Sequence, residues 1–251
     1  MKKLILLVLL ASCSTPPKPI KKTIVFIQGY HLDETSWSEV SKLVPKKEFK
    51  TLSLDRSGRD GTKPSVNEIA KINCQKIPKH SIIVAHSFGG AITTAMYGLC
   101  PEKITKVIFV SAIVPKNGEK PFDRMRNRQD QVNYAKAVTF DKKMIYPKKP
   151  EIFFKAIDPE VDLSSKTLPT IYNESLSLTA EIINYDAEQF ASLPKSYIVT
   201  EKDPVVGVAS QEVFIKDAGI KEVQGIPTGH FPMLAKPELL SHMILKFART
   251  K

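Results

Sequence analysis

Residues 81–90 read Ser-Ile-Ile-Val-Ala-His-Ser-Phe-Gly-Gly, and no other stretch constrains the fold as tightly. A short β-branched apolar run ends at a serine among small residues, and a helix-compatible segment, 91–99, follows without a linker. Such a run has the composition of a strand buried on both faces of a parallel sheet. The turn after it must bring strand and helix backbones close together, which small side chains permit. Ser87 then projects its hydroxyl above the carboxyl ends of the strands, beside the positive N-terminus of the next helix. That is the geometry of an activated nucleophile. The pentapeptide has the form Gly-x-Ser-x-Gly with Ala85 at the first position, one extra methyl in a crowded place.

Strand and helix signals alternate along the rest of the chain. Strands are expected at 23–27, 50–54, 81–84, 106–110, 196–200 and 222–225, and helices at 37–44, 66–76, 88–99, 209–217 and 237–247. Ser65 with Glu68 three residues later is the spacing of a capping box at the start of the 66–76 helix. The alternation predicts an α/β fold: a mainly parallel sheet of about six strands with helices on both faces. Residues 115–194 interrupt it between the fourth and fifth strands. This stretch is rich in Lys, Arg and Pro, yet Phe122, Ile145, Tyr146, Phe153, Phe154, Ile157 and Leu163 make it too apolar for a disordered insertion. A small, mostly helical cap over the carboxyl edge of the sheet is expected there.

The first dozen residues are of a different kind. Met1-Lys2-Lys3 is followed by an unbroken apolar run, 4–10, and by Leu10-Ala11-Ser12-Cys13. The run is too short for an ordinary membrane span and fits the core of a secretory signal. The ending resembles the lipobox of bacterial lipoproteins, which implies cleavage before Cys13, lipidation of that thiol and membrane attachment in the cell envelope. Residues 13–22 then form a Pro- and Lys-rich tether, and 23–251 the folded domain. The formal charge of +11 falls to +9 without Lys2 and Lys3, a surplus assigned to a Lys-rich solvated surface. No nucleic-acid motif accompanies it, so nucleic acid is not an expected partner. Cys74 and Cys100 are the remaining thiols, either bonded to each other or buried separately. The five histidines show no metal-ligand spacing, and no cofactor is called for.

A serine hydroxyl needs a base, and the base needs an orienting acid. Asp203 stands in the loop after the fifth strand, with Glu201 as the alternative acid. His230 stands in the loop after the last strand, in Pro227-Thr228-Gly229-His230-Phe231-Pro232. Both loops leave carboxyl strand ends, on the edge that carries Ser87. His86 adjoins Ser87 in sequence, but neighbours at a tight elbow point apart, which makes it a poor base. An oxyanion requires preorganised donors; the N–H groups of Phe88 and of Tyr30, in the Gln28-Gly29-Tyr30 loop after the first strand, are the candidates. Trp37 is assigned to packing.

These residues together resemble the α/β-hydrolase superfamily, and within it the methylesterases, hydroxynitrile lyases and related small serine esterases. The resemblance rests on Phe26-Ile27-Gln28-Gly29 with Trp37, on 55–60 (Asp-Arg-Ser-Gly-Arg-Asp), on 85–90, on Ser111-Ala112-Ile113-Val114-Pro115, on Asp203, and on 229–234. It implies a Ser87–His230–Asp203 triad and a small-molecule ester substrate. Two departures bear on the chemistry. Gln28 replaces the family's common His, and Phe231 stands where the lyases carry a Lys after the His, which disfavours cyanide chemistry. The alternatives are a lyase or cofactor-free reaction on the same fold, a decayed binding lipoprotein, and a lipase.

Overall fold

Strand β1 (Thr23–Ile27) is buried along its whole length, as its apolar, β-branched sequence requires of a strand covered on both faces. The structure, a computed structural model, describes residues 21–55, 64–125, 128–165 and 168–250. The leader, Cys13, most of the tether and the 56–60 part of the family motif lie outside the described residues. After β1 come a 3-10 turn at Glu34–Trp37, helix α1 (Ser38–Leu43) and strand β2 (Lys50–Leu54). Helix α2 (Val66–Lys76) begins at the expected capping box: the Ser65 hydroxyl accepts from the Glu68 N–H, and the Glu68 carboxylate accepts from the Ser65 N–H. Strand β3 (Ser81–His86), helix α3 (Gly89–Leu99) and strand β4 (Ile104–Val110) complete the first half.

The cap follows, with helix α4 (Arg128–Ala137), strands β5 (Val138–Phe140) and β6 (Met144–Pro147), helix α5 (Pro150–Ile157), strand β7 (Glu174–Ser175) and helix α6 (Ala187–Ser192). The chain returns to the sheet as β8 (Lys195–Thr200), then α7 (Val208–Asp217), β9 (Glu222–Ile226), α8 (Pro232–Ala235) and α9 (Pro237–Arg249). The cap is therefore mixed: besides its helices it has an antiparallel sheet in the order β5-β6-β7. Those strands are two to four residues long and partly exposed, so they lack the apolar run that marks a buried strand in sequence.

The main sheet runs β2-β1-β3-β4-β8-β9, with every neighbouring pair parallel. Alternate residues feed two cores. Val25, Ile83 and Ala85 face α2, α3 and α7, while Phe26, Ile82 and Val84 face α1, α9 and part of the cap. Trp37 is fully buried in the second core and stacks on Phe26 at 4.9 Å between ring centroids. Cys74 and Cys100 form a disulfide, with Cα atoms 6.1 Å apart, between the last turn of α2 and the end of α3. The chain leaves β1 for β2 on one side and returns for β3 on the other. That reversal opens a crevice at the carboxyl ends of β1 and β3, the usual place for a ligand in such sheets.

Candidate active site

Ser87 sits at the end of β3 with φ of +53°, a left-handed conformation that a non-glycine residue adopts only when its surroundings impose it. Its carbonyl accepts from the N–H groups of Gly90 and Ile113, and its N–H donates to Val110. These bonds hold the elbow in place. The glycines around it are a matter of space. A Cβ on Gly29 would lie 2.6 Å from Ser87 Cβ, and one on Gly89 would lie 2.7 Å from the Ile27 carbonyl oxygen. Ala85 is fully buried, so its methyl is accommodated within the sheet core.

His230 Nε2 lies 3.0 Å from Ser87 Oγ, and its Nδ1 lies 2.6 Å from Asp203 Oδ2. Asp203 is saturated with donors. Its Oδ2 also accepts from Thr200 Oγ1 at 2.8 Å and from the Ser111 hydroxyl, and its Oδ1 accepts from the N–H groups of Val205 and Val206 at 2.8 and 2.9 Å. Burial by itself raises the Asp203 carboxyl. The charge and hydrogen bond of His230, the Ser111 hydroxyl and the Val206 N–H outweigh it and hold the group below the usual carboxylate range. An ionised Asp203 only accepts, so Nδ1 of His230 carries the proton and the Nε2 lone pair faces the serine. Two backbone bonds lace the loops together: Glu201 N–H to Ile226 and Lys202 N–H to Thr228, each 3.0 Å. Glu201 is exposed and packs against Gly225, so Asp203 and not Glu201 stands beside the histidine.

His86 lies behind this row. Its Nε2 donates to the His230 carbonyl at 2.8 Å. Burial, with repulsion from His230, pushes its pKa down to about 3, so it is a neutral support for the histidine loop. Phe231 is buried against Phe153 and Phe154 and lines the cavity at the position where a lyase-like chain would place an ammonium group.

A cavity of about 390 Å3 opens onto Ser87 and His230. Its walls are mostly apolar, with Ile113, Phe122, Met125, Ile145, Phe153 and Leu176 among them, and neither Lys nor Arg is among its described lining residues. Tyr30 and Phe88 stack at 4.2 Å between ring centroids and both line the cavity with Ser87.

Sequence reasoning missed how the cap holds each of the site's loops. His31 lines the cavity with φ of +67°. Its Nδ1 lies 2.7 Å from the Tyr172 carbonyl, which can only accept, so Nδ1 donates; in the neutral ring Nε2 then accepts from the Tyr134 hydroxyl at 2.5 Å. The buried Glu174 accepts from the His31 N–H at 2.8 Å. Asn133 Nδ2 donates to Pro204 O at 3.1 Å, and Asp130 Oδ2 accepts from the Gly207 N–H at 3.1 Å, beside the acid loop. Asp158 Oδ2 accepts from the Phe231 N–H at 2.9 Å, beside the histidine loop. Burial raises the Asp158 carboxyl, against the lowering effect of the Phe231 and Glu160 N–H groups. These partners are 71–143 residues apart, so no local spacing reveals them. Ser111 was visible as part of a motif, though not as a partner of the acid.

A six-stranded parallel sheet, a strained serine elbow and an aligned Ser-His-Asp row define a class: the hydrolases built on a doubly covered α/β sheet. The chain belongs to the alpha/beta hydrolase family, whose model matches residues 24–242. Methylesterase 8 of Arabidopsis thaliana is 22% identical over 97% of this chain and 96% of its own length. Two longer relatives from the same plant, named provisionally as chloroplastic methylesterases, are each 24% identical over 90% and 91% of this chain, which spans only 63% and 57% of theirs. Among solved structures, a pyrethroid hydrolase from Sphingobium faniae JZ-2 superposes with a TM-score of 0.80, covering 91% of this chain and 98% of that one at 18% identity. Polyneuridine aldehyde esterase gives a TM-score of 0.75 over 91% and 100% of the two chains, also at 18% identity. These likenesses establish the fold.

Proposed function

We propose that the protein is a serine carboxylesterase acting on small or medium, uncharged esters. The observation that carries this reading is Ser87 Oγ, 3.0 Å from His230 Nε2, at the floor of an apolar cavity. Ser87 attacks the ester carbonyl as His230 takes its proton, and Asp203 stabilises the imidazolium. The N–H groups of Phe88 and Tyr30 receive the developing oxyanion. His230 then protonates the leaving alcohol. Water, activated by the same imidazole, attacks the acyl-enzyme and releases the acid and free Ser87. The names of the methylesterase relatives support an ester substrate. The cavity lies near the lower end of ligand pockets, which run from about 300 to 1,000 Å3, and so favours short and medium acyl groups over long-chain lipid. The apolar lining disfavours acyl groups that carry a charge.

The test is hydrolysis of p-nitrophenyl esters from acetate to laurate, with a succinyl half-ester as the charged member. Here kcat/KM should peak at medium length and collapse for laurate and the half-ester. A rate that rises to laurate assigns a lipase instead, and no turnover of any member contradicts the esterase.

We propose further that the protein lies in a bacterial cell envelope, attached to the membrane through a lipidated Cys13. The apolar run 4–10, followed by Ala11-Ser12-Cys13, supports it, as does a disulfide, which persists in oxidising compartments. Cys13→Ser should release the protein from the membrane fraction; unchanged fractionation contradicts the anchor.

A further inference from the structure

We propose that Asp158, at the end of cap helix α5, is a positioning residue for His230. This rests on the esterase reading and extends it into the cap. Asp158 is fully buried, and its own N–H donates to Phe154 at 2.7 Å, which fixes it to the last turn of α5. One carboxylate oxygen accepts from the Phe231 N–H at 2.9 Å and the other from the Glu160 N–H at 3.1 Å. On the other side of His230, Gly229 packs so closely that a Cβ there would lie 2.6 Å from Asp158 Cγ. The residues before and after His230 are thus both seated on one carboxylate. Between them, the His230 N–H approaches the Ile157 carbonyl at 3.5 Å.

The same turn of cap reaches the acid loop. Glu160 pairs with Lys202, next to Asp203, at 2.6 Å, and with Lys236, just past α8, at 3.2 Å. Those pairs are exposed and worth little as stability. Asp158 differs in being buried and in bonding to the loop backbone, where a shift passes directly to the imidazole. A general base must hold a heavy-atom distance near 3 Å to the serine, and a small displacement costs rate rather than binding.

The experiment compares the wild-type chain with Asp158→Ala, Asp158→Asn, Gly229→Ala and the Asp158→Ala/Gly229→Ala double variant, using p-nitrophenyl butyrate. In Asp158→Ala, kcat should fall about 10- to 100-fold, with KM within about threefold and the melting curve still two-state above the assay temperature. The downfield NMR signal of the Nδ1–H donated to Asp203 should broaden or vanish. Asp158→Asn, whose amide oxygen can still accept from Phe231, should recover part of kcat. Gly229→Ala should lose activity alone, yet add less than its full effect to Asp158→Ala, because the two closest atoms it would meet, Cγ and Oδ1 of Asp158, are already removed and only the Asp158 Cα remains, at 3.0 Å. If Asp158→Ala does not fold, Asp158→Asn and Gly229→Ala carry the test through the same signal and kcat. An unchanged kcat, an intact signal beside a lowered melting temperature, or additive losses would overturn the proposal. Absence of turnover by the wild type overturns the esterase reading instead, so the two failures are distinct.

Discussion

At the scale of single residues, the site depends on atoms that are missing as much as on those present. Gly29 lacks the Cβ that would lie 2.6 Å from Ser87 Cβ. Gly29→Ala should therefore lower kcat/KM by roughly 100-fold or more through a displaced nucleophile, measured on p-nitrophenyl butyrate beside a melting curve. Asp203→Asn keeps the shape of the acid but not its charge, and should cost about 10⁴-fold in kcat because the wrong histidine tautomer faces Ser87. A loss below tenfold would argue that Asp203 does not orient His230. Ser87, Asp203 and His230 were legible in the sequence because each follows a recognisable strand in an order that one fold explains. Asp158, Tyr134 and Glu174 were not. Their partners, Phe231 and His31, lie outside the cap in loops of the sheet domain, and a buried carboxylate in a Lys-rich insertion looks in sequence like any solvated charge.

At the scale of elements, legibility followed burial. The central strands β1, β3, β4 and β8 announce themselves as β-branched runs because both their faces are covered. Helix α2 announces its start through Ser65 and Glu68. The cap strands β5, β6 and β7 are short and half-polar, and their pairing is decided by contacts that a local pattern does not record. Ser65→Ala removes a cap whose bond to the Glu68 N–H is 3.1 Å long, and should cost about 1 kcal/mol in urea denaturation. The Cys74–Cys100 bridge closes a separation of 26 residues, and replacing both cysteines by serine should cost about 3 kcal/mol. Because the bridge ties α2 to the far end of α3, away from the elbow, kcat/KM should stay within about twofold; a larger loss would mean that the bridge also shapes the site.

For the whole molecule, stability and chemistry meet at His86. Its folded pKa of about 3 lies below the ordinary 6.5. As pH falls through that window the unfolded chain binds a proton that the folded chain refuses. Its contribution is fully present above about pH 6.5 and is lost towards pH 3, at up to about 1.4 kcal/mol per pH unit. Asp203, held below the ordinary carboxylate range, adds a loss of the same sign at the acid end. Urea midpoints measured between about pH 7 and pH 4 should fall steeply, and His86→Gln should flatten the upper part of that slope; an unchanged slope would remove His86 from the account. The same architecture that keeps His86 neutral holds three loops and a cap around one serine. The most direct measurement of that claim is intact-mass and peptide analysis after exposure of the folded protein to a fluorophosphonate. One adduct confined to Ser87, and no adduct on a folded Ser87→Ala variant, is the expected result. A folded wild-type protein that takes up no label, or a Ser87→Ala variant that still does, would contradict it.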